Sequence, residues 1–249
     1  MEIGVYGLGR FGSFWAQLLA KRFEVKGYNR SNERPAPEGV ERVSLDRLAE
    51  CPVIFLCVSI SAMEPVVSQL RSLLREDVLL IDTCSVKVHP VSVMERSAPS
   101  GAQIIGTHPM FGPDSAKNGT EGLPLIFTPV RVDSETAEFW REHFAGLGLH
   151  VMEMSADQHD HEAAYTQGIT HFVGRLLKEL NVQPSPMSTL GYRKILEVVD
   201  QTCNDPYQLF VDLQRYNPYS ANMRDNLRGA FDTLISRLSS ELDSPQGRE

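Results

Sequence analysis

The chain has 249 residues, 42% hydrophobic and 22% charged, with a formal net charge of −8. That composition suits a globular protein with one or two cores and excludes a disordered chain, apart from the polar tail at 244–249. Scattered Lys and Arg disfavour a nucleic-acid or membrane-surface partner, and no apolar run reaches the ~20 residues that cross a bilayer.

Along the chain, short apolar runs at 3–6, 25–28, 53–58, 78–82, 104–106 and 125–128 alternate with amphipathic stretches at 11–23, 63–74 and 135–144. Alternation of this kind, with runs apolar on both faces, predicts an α/β fold: a Rossmann-type doubly wound parallel sheet with helices on each side. After a last run at 151–154 the pattern changes. Helical periodicity covers 156–181, 187–203, 205–216 and 219–242, with breaks at Pro184, Pro186, Pro206 and Pro218, where a helix cannot continue. The expected division is 1–154 for the sheet domain and 155–249 for an all-helical domain. The aromatic-rich segment 207–219 suits a symmetric helix contact, so a homodimer is expected. Cys51, Cys57, Cys84 and Cys203 form no C-x-x-C pair, and no leader pattern precedes the first strand. Free thiols in the cytoplasm are the expectation.

Gly7-Leu8-Gly9-Arg10-Phe11-Gly12 follows the first strand and opens a helix. A G-x-G-x-x-G is weak alone, but here the strand before it and the helix after it supply the context. The first glycine makes the tight turn, Gly9 lets backbone approach a pyrophosphate, and Gly12 lets helix pack on strand. The helix N-terminus then faces the phosphates. Some twenty residues on, NAD-binding chains place an acidic residue for the ribose 2′-hydroxyl. This chain has Tyr28-Asn29-Arg30-Ser31. Asn29 does not repel a 2′-phosphate, Arg30 offers it a planar fork and Ser31 a hydroxyl, so the expected cofactor is NADP. A solvated surface arginine is the plainer alternative.

Two clusters fall at the carboxyl ends of strands, where doubly wound folds bind ligands. One is Asp82-Thr83-Cys84-Ser85-Val86-Lys87. The other runs from Thr107-His108-Pro109-Met110-Phe111-Gly112 to Gly119, with His108 just past a strand and suited to proton transfer near neutral pH. Farther on, His159, Ala163, Gln167 and His171 share one helical stripe, the pattern of a face lining a cavity or of a buried polar network. His159 and His161 diverge on a helix, so no metal site is expected.

These segments resemble the monofunctional arogenate/prephenate dehydrogenases of tyrosine biosynthesis, closest to the plant type. The likeness is carried by the glycine motif, Cys57-Val58-Ser59-Ile60-Ser61, Ser85-Val86-Lys87 and Thr107 to Gly119. It continues through Met152-Glu153-Met154-Ser155, His159-Asp160, residues 167–175 and Leu190-Gly191-Tyr192. The resemblance implies NADP-dependent oxidative decarboxylation of arogenate, or of prephenate as the alternative. His108 would pair with the C4 hydroxyl and Ser85 would bind the same region; Cys57, Val58 and Ser59 would flank the cofactor. Ser115, Lys117, Gln167, Thr170 and His171 are the groups offered to substrate carboxylates. Bacterial members carry an arginine where this chain has Asp200, so Lys117 or a partner subunit's basic residue must balance the substrate. Asp205 falls where an acidic residue favours the ammonium of arogenate, although it could equally N-cap a helix. Other two-domain NADP oxidoreductases of the hydroxyacid or imine-reductase kind place Lys or Asp on the long helix that here carries Gln167 and His171. An NADP-sensing module would need no His-Pro loop.

Overall fold

The computed structural model describes residues 1–31 and 35–243, and these fall into two compact units, Met1–Asp160 and His161–Glu249. The first unit runs β1 (Glu2–Tyr6), α1 (Arg10–Ala20), β2 (Glu24–Tyr28), β3 (Val40–Arg42), α2 (Leu45–Ala49), β4 (Val53–Leu56), α3 (Met63–Leu70), β5 (Leu79–Asp82) and α4 (Val88–Ser97). It continues with β6 (Gln103–Pro109), β7 (Pro124–Arg131), α5 (Ser134–Gly146), β8 (His150–Glu153) and α6 (Ala156–Ala163). Eight strands form one sheet in the order β3-β2-β1-β4-β5-β6-β7-β8. Every neighbouring pair is parallel except β6 and β7, which pair antiparallel with Gly106 opposite Thr128 and His108 opposite Ile126.

The all-parallel expectation is therefore corrected at that pair. The expected strand 104–106 also grows to Gln103–Pro109, which puts His108 inside β6 rather than past it. The physical reason is the antiparallel partner: β7 supplies a neighbour for Thr107, His108 and Pro109 that sequence periodicity does not reveal. The short β3 and the helices α2 and α4 were not expected either. β3 has only three residues, and α4 carries Pro90 in its first turn, where proline is tolerated.

β4 and β5 are buried at every residue, which is why they read as unbroken apolar runs. On one face Trp15 of α1, Phe55 of β4, and Trp140 and Phe144 of α5 pack together, with Phe55 edge-on to Trp140 at 5.3 Å and Trp15 against Phe144 at 5.9 Å. Each such buried aromatic contributes on the order of 2–3 kcal/mol. Asp133 caps α5 by accepting the Thr136 N–H at 2.8 Å.

The second unit holds a wide five-residue π-helical turn (Ala164–Gly168), α7 (Ile169–Glu179), α8 (Leu190–Asn204), α9 (Tyr207–Tyr216) and α10 (Ser220–Asp243). The single helix expected over 156–181 is thus interrupted. Within this unit Ala163 and His171 are buried and Gln167 is half-buried. Four-residue steps drift by ~40° each on an ideal α-helix, and the wider turn offsets that drift. Gly174 lets α7 approach α8, since a Cβ there would sit 2.1 Å from Thr202 Oγ1. Among the described residues, no helix is long and apolar enough to cross a membrane.

Candidate active site

The parallel strands β1, β4, β5 and β6 bring their carboxyl ends to one edge of the sheet, and the site of the first unit is built there. At the end of β1, Gly7 turns the chain at φ +102° while its N–H donates to Tyr28 O at 2.8 Å. A Cβ on Gly7 would meet Cys57 O at 2.3 Å, and one on Gly12 would meet Gly7 O at 1.8 Å. Neither position admits a side chain. Gly9 is the opposite case: a Cβ would meet nothing within 4 Å, and as N-cap of α1 it offers no side-chain bond. Open space in front of free first-turn N–H groups fits a pyrophosphate, so the residues present suit a dinucleotide.

The other nucleotide residues frame that turn. Leu8 is buried, and its N–H donates to Asn29 Oδ1 at 3.2 Å, so Asn29 braces the glycine turn from the end of β2. Arg30 and Ser31 are exposed beside it. Arg42, which sequence reasoning missed, donates from Nη2 to Asn29 O at 3.2 Å and to Ser31 O at 2.7 Å, placing a second guanidinium at this turn. Phe11 stacks on Trp15 at 5.7 Å, and Arg10 forms an exposed ion pair with Asp114 of the 112–119 loop. Cys57 and Val58 are half-buried after β4, and Ser59 is exposed. Burial pushes the Cys57 thiol up to about 12 and the Cys51 thiol up to about 11, so both stay protonated.

At the end of β6 lies a buried polar cluster. His108, 2% exposed, has Nδ1 2.8 Å from His159 Nε2; His159 Nδ1 is in turn 2.8 Å from Asp160 Oδ1. Asp160 also accepts the Lys87 N–H at 2.6 Å and the Val88 N–H at 2.9 Å, at the start of α4. Beneath His108, the buried Lys87 ammonium pairs with Asp82 and donates to Thr107 O at 2.6 Å, while Thr107 Oγ1 donates to Asp82 O at 2.6 Å. Lys87 thus clamps β5 to β6 one residue before His108. Burial, helped by His159 and then Lys87, holds the His108 pKa well below the ordinary imidazole value. Burial lowers His159 too, with Asp160 opposing. Ser85 is half-buried in the loop between β5 and α4; Ser115 and Lys117 are exposed in the 112–119 loop.

The second unit carries its own polar group. His171, 6% exposed, has Nε2 3.9 Å from Asp205 Oδ2; burial lowers its pKa and Asp205 opposes. Asp205 does not cap α9: Pro206 holds that place without a side-chain bond, and Asp205 O accepts from Arg175 Nη2 at 2.8 Å. Thr170 Oγ1 donates to Thr166 O at 2.8 Å. Gln167 Oε1, His171 Nδ1 and Arg175 Nε are buried without a partner among the described residues.

A glycine turn at the end of β1 and an imidazole pair at the end of β6 mark a dinucleotide-dependent oxidoreductase of the Rossmann class. Comparison with known proteins narrows that class. The profile described as "Prephenate dehydrogenase, nucleotide-binding domain" matches residues 23–153, and "TYRAAT1-like, C-terminal domain" matches 176–249. The chain is 36% identical over 261 residues to arogenate dehydrogenase 1, chloroplastic, of Arabidopsis thaliana, covering 100% of this chain and 41% of that protein. Arogenate dehydrogenase 2, chloroplastic, of the same plant is 33% identical over 257 residues, covering 97% of this chain and 71% of that one. This chain belongs to the arogenate/prephenate dehydrogenase family. In fold it is similar to prephenate dehydrogenase from Aquifex aeolicus, solved with hydroxyphenyl propionate and NAD+. The TM-score is 0.72 at 18% identity, over 98% of this chain and 92% of that one. A pyridine nucleotide is the cofactor class that these findings support.

Proposed function

We propose that this chain catalyses the NADP-dependent oxidative decarboxylation of arogenate to tyrosine, with prephenate to 4-hydroxyphenylpyruvate as the second reading. The observation that carries the proposal is His108: a buried, neutral imidazole on the sheet edge that also bears the glycine turn. When bound, the nicotinamide supplies the acceptor for the hydride that leaves ring C4. His108 takes the C4 hydroxyl proton, which drives electron density toward the breaking C–H bond. Ser85, from the loop after β5, is proposed to orient that hydroxyl. Loss of the C1 carboxylate as CO2 then makes the ring aromatic.

The 2′-phosphate of NADP is assigned to Arg30, Ser31 and Arg42, with Asn29 leaving the turn free of negative charge. Arg30→Ala is expected to weaken NADP about tenfold in a fluorescence titration with little effect on NAD, since one charge-assisted bond is worth ~1.5–3 kcal/mol and this one is exposed. Equal loss for both coenzymes would remove the assignment. Ser115 and Lys117 are proposed for a substrate carboxylate, and Gln167, Thr170 and His171 for polar contacts. Asp205 is proposed for the ammonium of arogenate, which a carboxylate attracts and the keto group of prephenate cannot match. Residues 1–154 are the proposed nucleotide domain and 155–249 the substrate and dimerisation domain.

A homodimer is part of this proposal. In the expected segment 207–219, Asp212, Leu213 and Asn217 are buried within their own unit, while Tyr207 is exposed. On α10, Phe231, Leu234, Ile235, Leu238 and Leu242 are all exposed at three- and four-residue spacing, so this stripe is the stronger candidate surface. A monomer in sedimentation at micromolar concentration would remove the dimer. The free cysteines are the ground for proposing a cytoplasmic location.

The deciding experiment assays arogenate and prephenate, each with NADP and NAD, following reduced nucleotide and CO2. Arogenate with NADP is expected to give the highest kcat/KM. No turnover in any of the four combinations would sink the function.

A further inference from the structure

His108 does not stand alone, and its neighbours determine which of its nitrogens carries hydrogen. Asp160 already accepts two backbone N–H groups, one on each oxygen, so toward His159 it acts as a third-time acceptor. His159 Nδ1 therefore carries the hydrogen. A neutral imidazole has only one, so His159 Nε2 is a bare acceptor. The 2.8 Å contact to His108 Nδ1 then needs that atom to donate, which leaves His108 Nε2 without hydrogen.

We propose that His159 and Asp160 are positioning residues that hold His108 as the Nδ1–H tautomer, with Nε2 the proton acceptor, and that pass the proton's charge inward during turnover. This rests on the reading of His108 as the base of the dehydrogenase. In the step itself, the C4 hydroxyl proton binds His108 Nε2 while the His108 Nδ1 proton moves to His159 Nε2. The O–H pair becomes the second C–O bond as the C4–H pair leaves with hydride for the nicotinamide, the one oxidant required. Positive charge then resides on His159 beside the Asp160 carboxylate. When CO2 departs, its bonding pair completes the aromatic ring and the C4 oxygen recovers its proton by the reverse route.

This route answers a difficulty in the site. The remaining charged groups around the pair are Lys87, from the segment before α4, and Asp82, at the end of β5, and these neutralise each other. A buried imidazolium at His108 would otherwise stand alone in a low-dielectric pocket. Moving the charge one ring inward places it against the one uncompensated carboxylate of the cluster. The arrangement parallels a triad in which the carboxylate orients the imidazole and stabilises its cation, with a second imidazole inserted.

The test begins with the unmodified full chain, so that no variant need fold. Histidine-selective 15N NMR near neutral pH is expected to show His108 protonated at Nδ1 and bare at Nε2. An Nε2–H tautomer in the free protein overturns the proposal. His159→Leu removes the acceptor and is expected to lower kcat about 100-fold with KM within about threefold. His159→Gln, whose Oε1 can accept from His108 and whose amide can donate to Asp160, is expected to restore the tautomer and about tenfold of the lost rate. Wild-type kcat in His159→Leu also overturns it. If no arogenate or prephenate turnover exists while the NMR shows Nδ1–H, the function fails and the tautomer assignment stands; the reverse pattern removes only the relay.

Discussion

The two units treat their buried polar atoms in opposite ways. Around His108, the imidazole pair, Asp160, Lys87 and Thr107 are joined in one set of hydrogen bonds, with Asp82 Oδ1 the atom left over. In the helical unit, Gln167 Oε1, His171 Nδ1 and Arg175 Nε are buried and unmatched among the described residues. An unmatched buried group costs about 1–3 kcal/mol, a cost that a ligand's donors and acceptors could offset. The contrast separates two tasks. Moving a proton requires hydrogens assigned in advance, whereas recognising a substrate requires valences left open.

The first unit's side of the contrast is broken most directly at His108. His108→Asn is expected to lower kcat about 10³-fold while NADP binds within about twofold of normal, measured by turnover and by titration. Near-normal turnover would mean that the wired cluster is structural. Next in size, Lys87→Met leaves Asp82 buried without its cation, and urea unfolding is expected to show a loss of about 3–5 kcal/mol. An unchanged midpoint would mean that the clamp carries no weight.

His143 sharpens the comparison because it departs from the first unit's rule. It is 2% exposed among Phe23, Trp140 and Phe144, both ring nitrogens lack a partner, and burial pushes its pKa down to about 4. Above the ordinary imidazole value, near 6.5, both folded and unfolded chains hold it neutral. Below that, the unfolded chain takes a proton that the folded one refuses until about pH 4, so stability falls as pH drops through this window. The expected loss from this residue is up to about 3 kcal/mol, and His143→Phe should flatten that part of a pH series of unfolding curves. A slope that persists unaltered would assign the loss to other groups. The smallest effect belongs to the helical unit: Asp205→Asn is expected to shift the arogenate-to-prephenate ratio of kcat/KM about tenfold toward prephenate, ~1.4 kcal/mol. No shift would mean that Asp205 does not meet the ammonium.

What could be read from residues alone follows the range of the interactions. Gly7, Gly9 and Gly12 each do something no side chain permits, within six positions, so the turn was visible before the fold was known. His108 was visible as a residue type in a specific motif, but its partner lies 51 positions away and Lys87 sits 73 positions from Asp160. Pairings at that distance leave no periodicity to detect. Arg42 was invisible for the same reason, reaching back 13 positions to Asn29 from a strand of only three residues. The antiparallel β7 was missed because an apolar run reveals burial and not direction.

The wide turn at Ala164–Gly168 amounts to one extra residue worked into a helix, and that makes the helical unit sensitive to chain length as well as to chemistry. Removing a single residue there, such as the exposed Tyr165, would let ordinary helical bonding close up and rotate all that follows by about 100°. His171 would swing out of its niche with its own neighbours in sequence intact. Substitution scanning would find this stretch tolerant; only a deletion would expose how much orientation it carries.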